Sequence, residues 1–157
     1  MSGQDESHIR ISSDPAELPV VRDAFREWTA AHGWPEDLIA DIVLAVDEAL
    51  SNVIRHGYDG RPGENIDISV KAIKDDKLGE GVEIRIRDFG KQVPLDKICG
   101  RDLDDLRPGG LGVHIIRSVM AHTEYAHAPD GGMTLLMRKF RTPGDEAADE
   151  GRQIEKP

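Results

Sequence analysis

The sequence predicts an α/β domain built around a single core. Three observations point to it. Apolar residues recur at helical spacing in two stretches near the N-terminus and in one beginning near residue 110. They alternate at period two in two central runs and again near the end. Glycine- and proline-marked turns separate all of these stretches. The 157 residues are close to the ~150 of one domain on a soft length prior. Apolar residues make up 38% of the chain and arrive in periodic runs, enough for one core.

SHIRIS (7–12) alternates weakly and fits a short edge strand before the break at Asp14 and Pro15. From Ala16 to His32, the residues Leu18, Val21, Phe25, Trp28 and Thr29 share one helical face, and Gly33 is a stop signal. The polar side of this helix carries Arg22, Asp23, Arg26 and Glu27, which suits either a solvated face or a partner surface. A second helix follows Pro35 and runs to about Gly57. Its stripe is Ile39, Ile42, Val43, Val46, Leu50 and Val53. After the turn residues DGRPGEN, the run IDISVKAI places Ile66, Ile68, Val70 and Ala72 on one strand face. KDDKLGEG reads as a loop. GVEIRIRDFG then carries Val82, Ile84, Ile86 and Asp88 on one parity. A long connection occupies 91–109, with a short helical turn expected at RDLDDL. A third helix begins at GGLGVHIIRSVMAH, with Val113, Ile116, Val119 and Met120 as its core stripe. TEYAHAP and GMTLLMRKF, joined by DGG, form a closing hairpin.

Three places carry polar groups that folding alone does not require. On the second helix Asp41, Ala45, Glu48, Asn52 and, at the rim, His56 lie off the apolar stripe. Glu48 and Asn52 are four apart, so their side chains lie one turn above each other and can reach one ligand. A solvated face fits that spacing too, although Asn is an indifferent helix former. The second place is Asp88, a carboxylate pointed inward at the end of a strand that buries three aliphatics. It must be hydrogen-bonded or paired, and Gly90 lets a backbone or ligand approach it. A turn cap and a ligand contact both satisfy that pattern. The third is the glycine run of PGGLG at 108–112, where free helix N–H groups can approach an anion.

Charge and cysteine usage narrow the function classes. Thirty acidic against twenty basic residues give a formal charge of -10, with no Lys/Arg block to track a phosphate backbone; direct nucleic-acid binding is disfavoured. The single cysteine, Cys99, excludes an internal disulfide and is expected to be an ordinary loop side chain. No apolar run reaches the ~20 residues of a membrane span, and the N-terminus lacks signal-peptide character. The expected location is the cytoplasm. The expected boundaries are a flexible N-terminus at 1–7, a folded domain at 8–141 with a lid at about 91–109, and an acidic disordered tail at 142–157.

DEALSNVIRHGY, RDFG and RPGGLGVHII, in that order and with a lid-length gap between the last two, resemble the N box and the two glycine boxes of the GHKL (Bergerat-fold) ATPases. The resemblance covers about residues 8–140 and is closest to the stand-alone anti-sigma-factor serine/threonine-protein kinases. It implies an α/β (α+β) two-layer sandwich, the Bergerat ATP-binding fold, with helices on one face of a mixed, mostly antiparallel sheet. It implies ATP and Mg2+ as cofactors, with Asn52 holding the metal and Glu48 the general base beside the γ-phosphate. Asp88 would accept the adenine amino group next to Gly90. Gly110, Leu111 and Gly112 would wrap the phosphates, Arg107 in the lid would meet one, and His56 would support the site. The implied substrate is a STAS-domain anti-anti-sigma protein phosphorylated on Ser or Thr, with a sigma factor as the alternative partner and a homodimer as an assembly common in the branch. A nucleotide-gated binding module without kinase activity fits the same motifs.

Overall fold

A computed structural model describes residues 5–95 and 108–141. Five strands, β1 (Glu6–Ser12), β2 (Asn65–Asp75), β3 (Gly79–Asp88), β4 (His122–His127) and β5 (Met133–Arg141), form one sheet in the order β1-β2-β3-β5-β4. Every pairing among them is antiparallel. Among the described residues three longer α-helices, α1 (Leu18–Ala31), α2 (Glu36–Asn52) and α3 (Pro108–Val119), accompany the sheet. A two-layer α/β arrangement with a mostly antiparallel sheet is therefore what the chain adopts. None of the described helices is long and apolar enough to cross a membrane.

The helices form because their apolar residues share faces. The core takes Val21 and Phe25 from α1, Ile39, Ile42, Val46 and Leu50 from α2, and Ile116 from α3, against Ile66, Ile68, Ile84, Ile86 and Met137 of the sheet. The helix α2 lies between α1 and α3, and its Ala45 and Ala49 are buried along with the predicted stripe. Only Leu44 among its large aliphatics is exposed. Across the other face of the sheet, charged side chains pair between strands, as in Arg10 with Asp67 at 2.5 and 2.8 Å and Arg138 with Glu83 at 2.9 Å. One sheet face is thus apolar and covered by helices, and the other is solvated.

Three elements differ from the sequence expectation. The KDDKLGEG stretch is mostly strand, because β2 and β3 continue pairing to Asp75 opposite Gly79. Only three residues turn, held by the Asp75 carboxylate, which accepts from the amides of Lys77 and Leu78 at 2.8 and 2.9 Å. β1 begins at Glu6, one residue before the alternating run, since Glu6 pairs with Lys71. The α-helical geometry of α2 stops at Asn52 and continues as a π-helical turn over Val53–Gly57. There Tyr58 N–H reaches the Val53 carbonyl at 3.0 Å, five residues back. Such wide turns occur mostly where a helix must re-aim a few residues. The expected turn at RDLDDL, Cys99, the lid between 96 and 107, and the tail from 142 lie outside the described residues.

The packing predicts a sharp contrast between two truncations. Ile84→Ala, at a fully buried position, is expected to cost about 2–5 kcal/mol. Leu44→Ala on the exposed side of α2 should stay within about 0.5 kcal/mol. Urea midpoints of the two variants check this.

Candidate functional site

Two clusters of polar groups lie near the end of α2, one where the start of α3 meets it and one at the end of β3. The first is the helix pair. Glu48 and Asn52 stand one turn apart on α2, and the first turns of α3 come down on them. A Cβ placed on Gly112 would lie 3.0 Å from Glu48 Oε2, 3.2 Å from Asn52 Nδ2 and 3.3 Å from Asn52 Oδ1. A glycine there lets the α3 backbone meet both side chains. Asn52 Oδ1 is buried and has no hydrogen-bond partner among the described residues. An amide oxygen left so is costly unless a water or a ligand completes it. It is a hard oxygen donor of the kind Mg2+ takes, and among the described residues no three His, Cys, Asp or Glu side chains gather into a metal cage. That combination fits an ion held by one or two protein oxygens together with substrate phosphates.

The second cluster is built around Asp88, which is 3% exposed at the end of β3. Its Oδ1 accepts hydrogen bonds from the amides of Gly90 at 3.0 Å and Met133 at 3.2 Å. Three backbone segments crowd round it. A Cβ on Gly57 would stand 3.6 Å from Asp88 Oδ2. A Cβ on Gly90 would strike the Gly57 carbonyl, and Gly132, at φ +78°, packs on the Asp88 carbonyl. Burial pushes the Asp88 carboxyl above its ordinary range, while the two amides and the Arg87 charge pull it the other way. The carboxylate is held in place, and its buried charge still calls for a further donor.

Tyr58 ties this cluster together. The side chain is 1% exposed. Its hydroxyl donates to the Asn65 carbonyl at 2.6 Å and accepts from the Phe89 amide at 2.7 Å. The segment leaving β3 is also pinned. Lys91 N–H donates to the Gly57 carbonyl at 3.1 Å, Gln92 Nε2 to the carbonyls of Ala128 at 2.9 Å and Gly132 at 3.2 Å, and His127 Nε2 to the Val93 carbonyl at 2.8 Å. The connection to α3 therefore starts from a fixed root.

Of the residues singled out in the sequence, Glu48, Asn52 and Gly112 are brought together, and Asp88 and Gly90 form the second cluster. Gly110 and Leu111 lie in the first turn of α3. His56 is exposed on the π-helical turn, near Asp59, whose carboxyl the Lys91 ammonium, chiefly, holds low. Arg107 lies outside the described residues. Sequence reasoning missed Tyr58, Gly57, Gln92, Gly132 and the Met133 amide. A tyrosine beside two glycine-rich turns signals a buried hydroxyl in need of partners, but a backbone amide leaves no signal in a sequence.

Known proteins bear on this arrangement. The family of histidine kinase-like ATPase domains matches residues 11–139. The chain is 28% identical over 141 residues to the serine-protein kinase RsbW of Bacillus pumilus (strain SAFR-032), covering 84% of this chain and 83% of that one. It is 27% identical over 164 residues to the serine-protein kinase RsbW of Staphylococcus aureus (strain MSSA476), covering 98% of each. The crystal structure of the RsbU and RsbW domains of Rv1364c from Mycobacterium tuberculosis matches with a TM-score of 0.58 at 22% identity, over 86% of this chain. It supports the fold, and this chain spans 31% of the length of that longer chain.

The raised carboxyl of Asp88 has a stability consequence. A group whose folded pKa lies above its unfolded value contributes its stability in full below the unfolded pKa and loses it as pH rises through the folded one. Wild type should therefore lose stability relative to Asp88→Asn, which keeps an oxygen for both amides, as pH rises from about 4 towards 7. Urea unfolding of both chains across that range measures it.

Proposed function

Given that the chain belongs to the histidine kinase-like ATPase family, we propose that it is an ATP-dependent serine/threonine protein kinase of the anti-sigma-factor type. Its substrate in this reading is a STAS-domain antagonist. The observation that carries it is the meeting of Glu48, the unpartnered Asn52 Oδ1 and the glycine-bearing start of α3 at one point.

Each residue has a task in this reading. Asp88 accepts the adenine amino group with its carboxylate, and Gly90 keeps the approach open. The amides at the start of α3, around Gly110, Leu111 and Gly112, face the phosphates with the positive end of the helix dipole. Asn52 would hold Mg2+ through Oδ1, and the ion would supply positive charge to offset the phosphates, which the acidic chain at -10 does little to offset by itself. Glu48 takes the proton of the partner's hydroxyl as that oxygen bonds to the γ-phosphorus and ADP leaves. Arg107 and His56 assist at the phosphates and the rim. In this reading the kinase domain takes in β1 from Glu6 and runs to 141, with the lid from about 91 up to the start of α3 and an acidic tail from 142.

Partner switching follows from one shared surface. A phosphorylated antagonist leaves, and the kinase is then free to sequester a sigma factor. The polar side of α1 is the candidate surface, and the proposed setting is the cytoplasm.

Intact-mass spectrometry of candidate STAS-domain proteins, incubated with the chain and Mg-ATP, tests this directly. One of them should gain a single phosphate with wild type and none with Glu48→Ala, while Glu48→Ala still binds ATP. Transfer undiminished in Glu48→Ala would remove Glu48 from its role. ATP binding without transfer to any STAS protein would leave a nucleotide-gated binding module. Asp88→Asn should weaken ATP about tenfold or more, the scale of a lost hydrogen bond to a charged group.

A further inference from the structure

We infer that the Tyr58 hydroxyl is the positioning group that aims Asp88, by standing in for a rung of the sheet. The inference rests on the reading of Asp88 as the adenine acceptor. Its basis is the register of β2 and β3. Asp67 pairs with Arg87 and Ile66 with Asp88, so one further step would pair Asn65 with Phe89. Pairing stops there. The Phe89 N–H and the Asn65 carbonyl meet the Tyr58 hydroxyl from its two sides, at 2.7 and 2.6 Å.

A hydroxyl suits this place because it accepts from an amide and donates to a carbonyl at once. It satisfies both backbone groups while holding them a full side chain's oxygen apart. β3 is thereby kept from zipping one residue further along β2. The opened end is what brings the next amide, that of Gly90, back onto Asp88 Oδ1 at 3.0 Å. The same opening seats Gly90 beneath the tyrosine ring, where a Cβ would be 3.0 Å from Tyr58 Cδ1. The wide turn of Val53–Gly57 delivers the ring to this point, since the Tyr58 amide bonds five residues back. Asp88 therefore owes its orientation to a side chain 30 residues away, placed by the turn that ends the helix carrying Glu48 and Asn52.

Tyr58→Phe keeps the ring and removes the oxygen. Binding of ATP and of purine riboside triphosphate, which lacks the 6-amino group, is measured by calorimetry for the wild-type and variant chains. Wild type should prefer ATP. Tyr58→Phe should lose about three- to tenfold in ATP affinity, the worth of one hydrogen bond, with purine riboside triphosphate binding unchanged. A variant that weakens both nucleotides alike and keeps the preference would reduce Tyr58 to a packing role and overturn the inference. Equal binding of both nucleotides by wild type would instead remove the adenine reading of Asp88, and this inference with it. Should Tyr58→Phe fail to fold, hydrogen exchange at the Phe89 amide of wild type decides. Exchange slowed more by ATP than by purine riboside triphosphate supports the positioning role, and equal exchange rejects it.

Discussion

Housing one buried carboxylate constrains much of this molecule. Asp88 ends a strand whose inward residues are otherwise aliphatic, and a charge there is tolerable only with donors close by. The chain supplies two backbone amides, from Gly90 and Met133. Supplying them requires that the exit of β3, the turn after α2 and the turn before β5 all converge on one point. Glycines at 57, 90 and 132 make that convergence sterically possible. An aspartate that merely capped a turn would need none of this. Such an arrangement is costly to build.

The helix α2 links this cluster to the Glu48–Asn52 pair. Its apolar stripe fixes it against the sheet, so the rotation of its polar face is set as well. Glu48 and Asn52 then face the start of α3 with no freedom to turn away. The π-helical turn that follows changes the direction of the chain just enough to deliver Gly57 and Tyr58 to Asp88. One continuous segment, from Glu36 to Tyr58, thus presents the Glu48–Asn52 pair at one place and the partners of the Asp88 cluster at another. Their separation is a property of a single rigid element, as pre-organised sites require.

Much of this was legible because periodicity is local. The alternation in GVEIRIRD places Asp88 on the same side as Val82, Ile84 and Ile86 from the sequence alone, since a strand has period two. The i, i+4 relation of Glu48 and Asn52 follows in the same way from the helical repeat. The loop expected at KDDKLGEG failed for a related reason: polar residues and glycines read as loop, yet cross-strand pairing with an already formed ladder carried both strands through them. Tyr58 stood in plain view within HGY, but its partners are main-chain groups at 65 and 89. Nothing in the residue type announces which backbone atoms a hydroxyl will find.

The sequence by itself determined the kinds of element, the faces they bury, and the polar residues left over once burial was accounted for. It also carried three motifs whose order resembles one ATPase family. Those features depend on neighbours within a few positions, and chemistry at that range is written in the chain. Tertiary structure decided the rest: that β5 inserts between β3 and β4, that Gly112 closes on Glu48 and Asn52, and that the Met133 amide reaches a carboxylate 45 residues earlier. Those contacts join residues distant in sequence through backbone groups that every residue type shares, so only packing in three dimensions could choose among them.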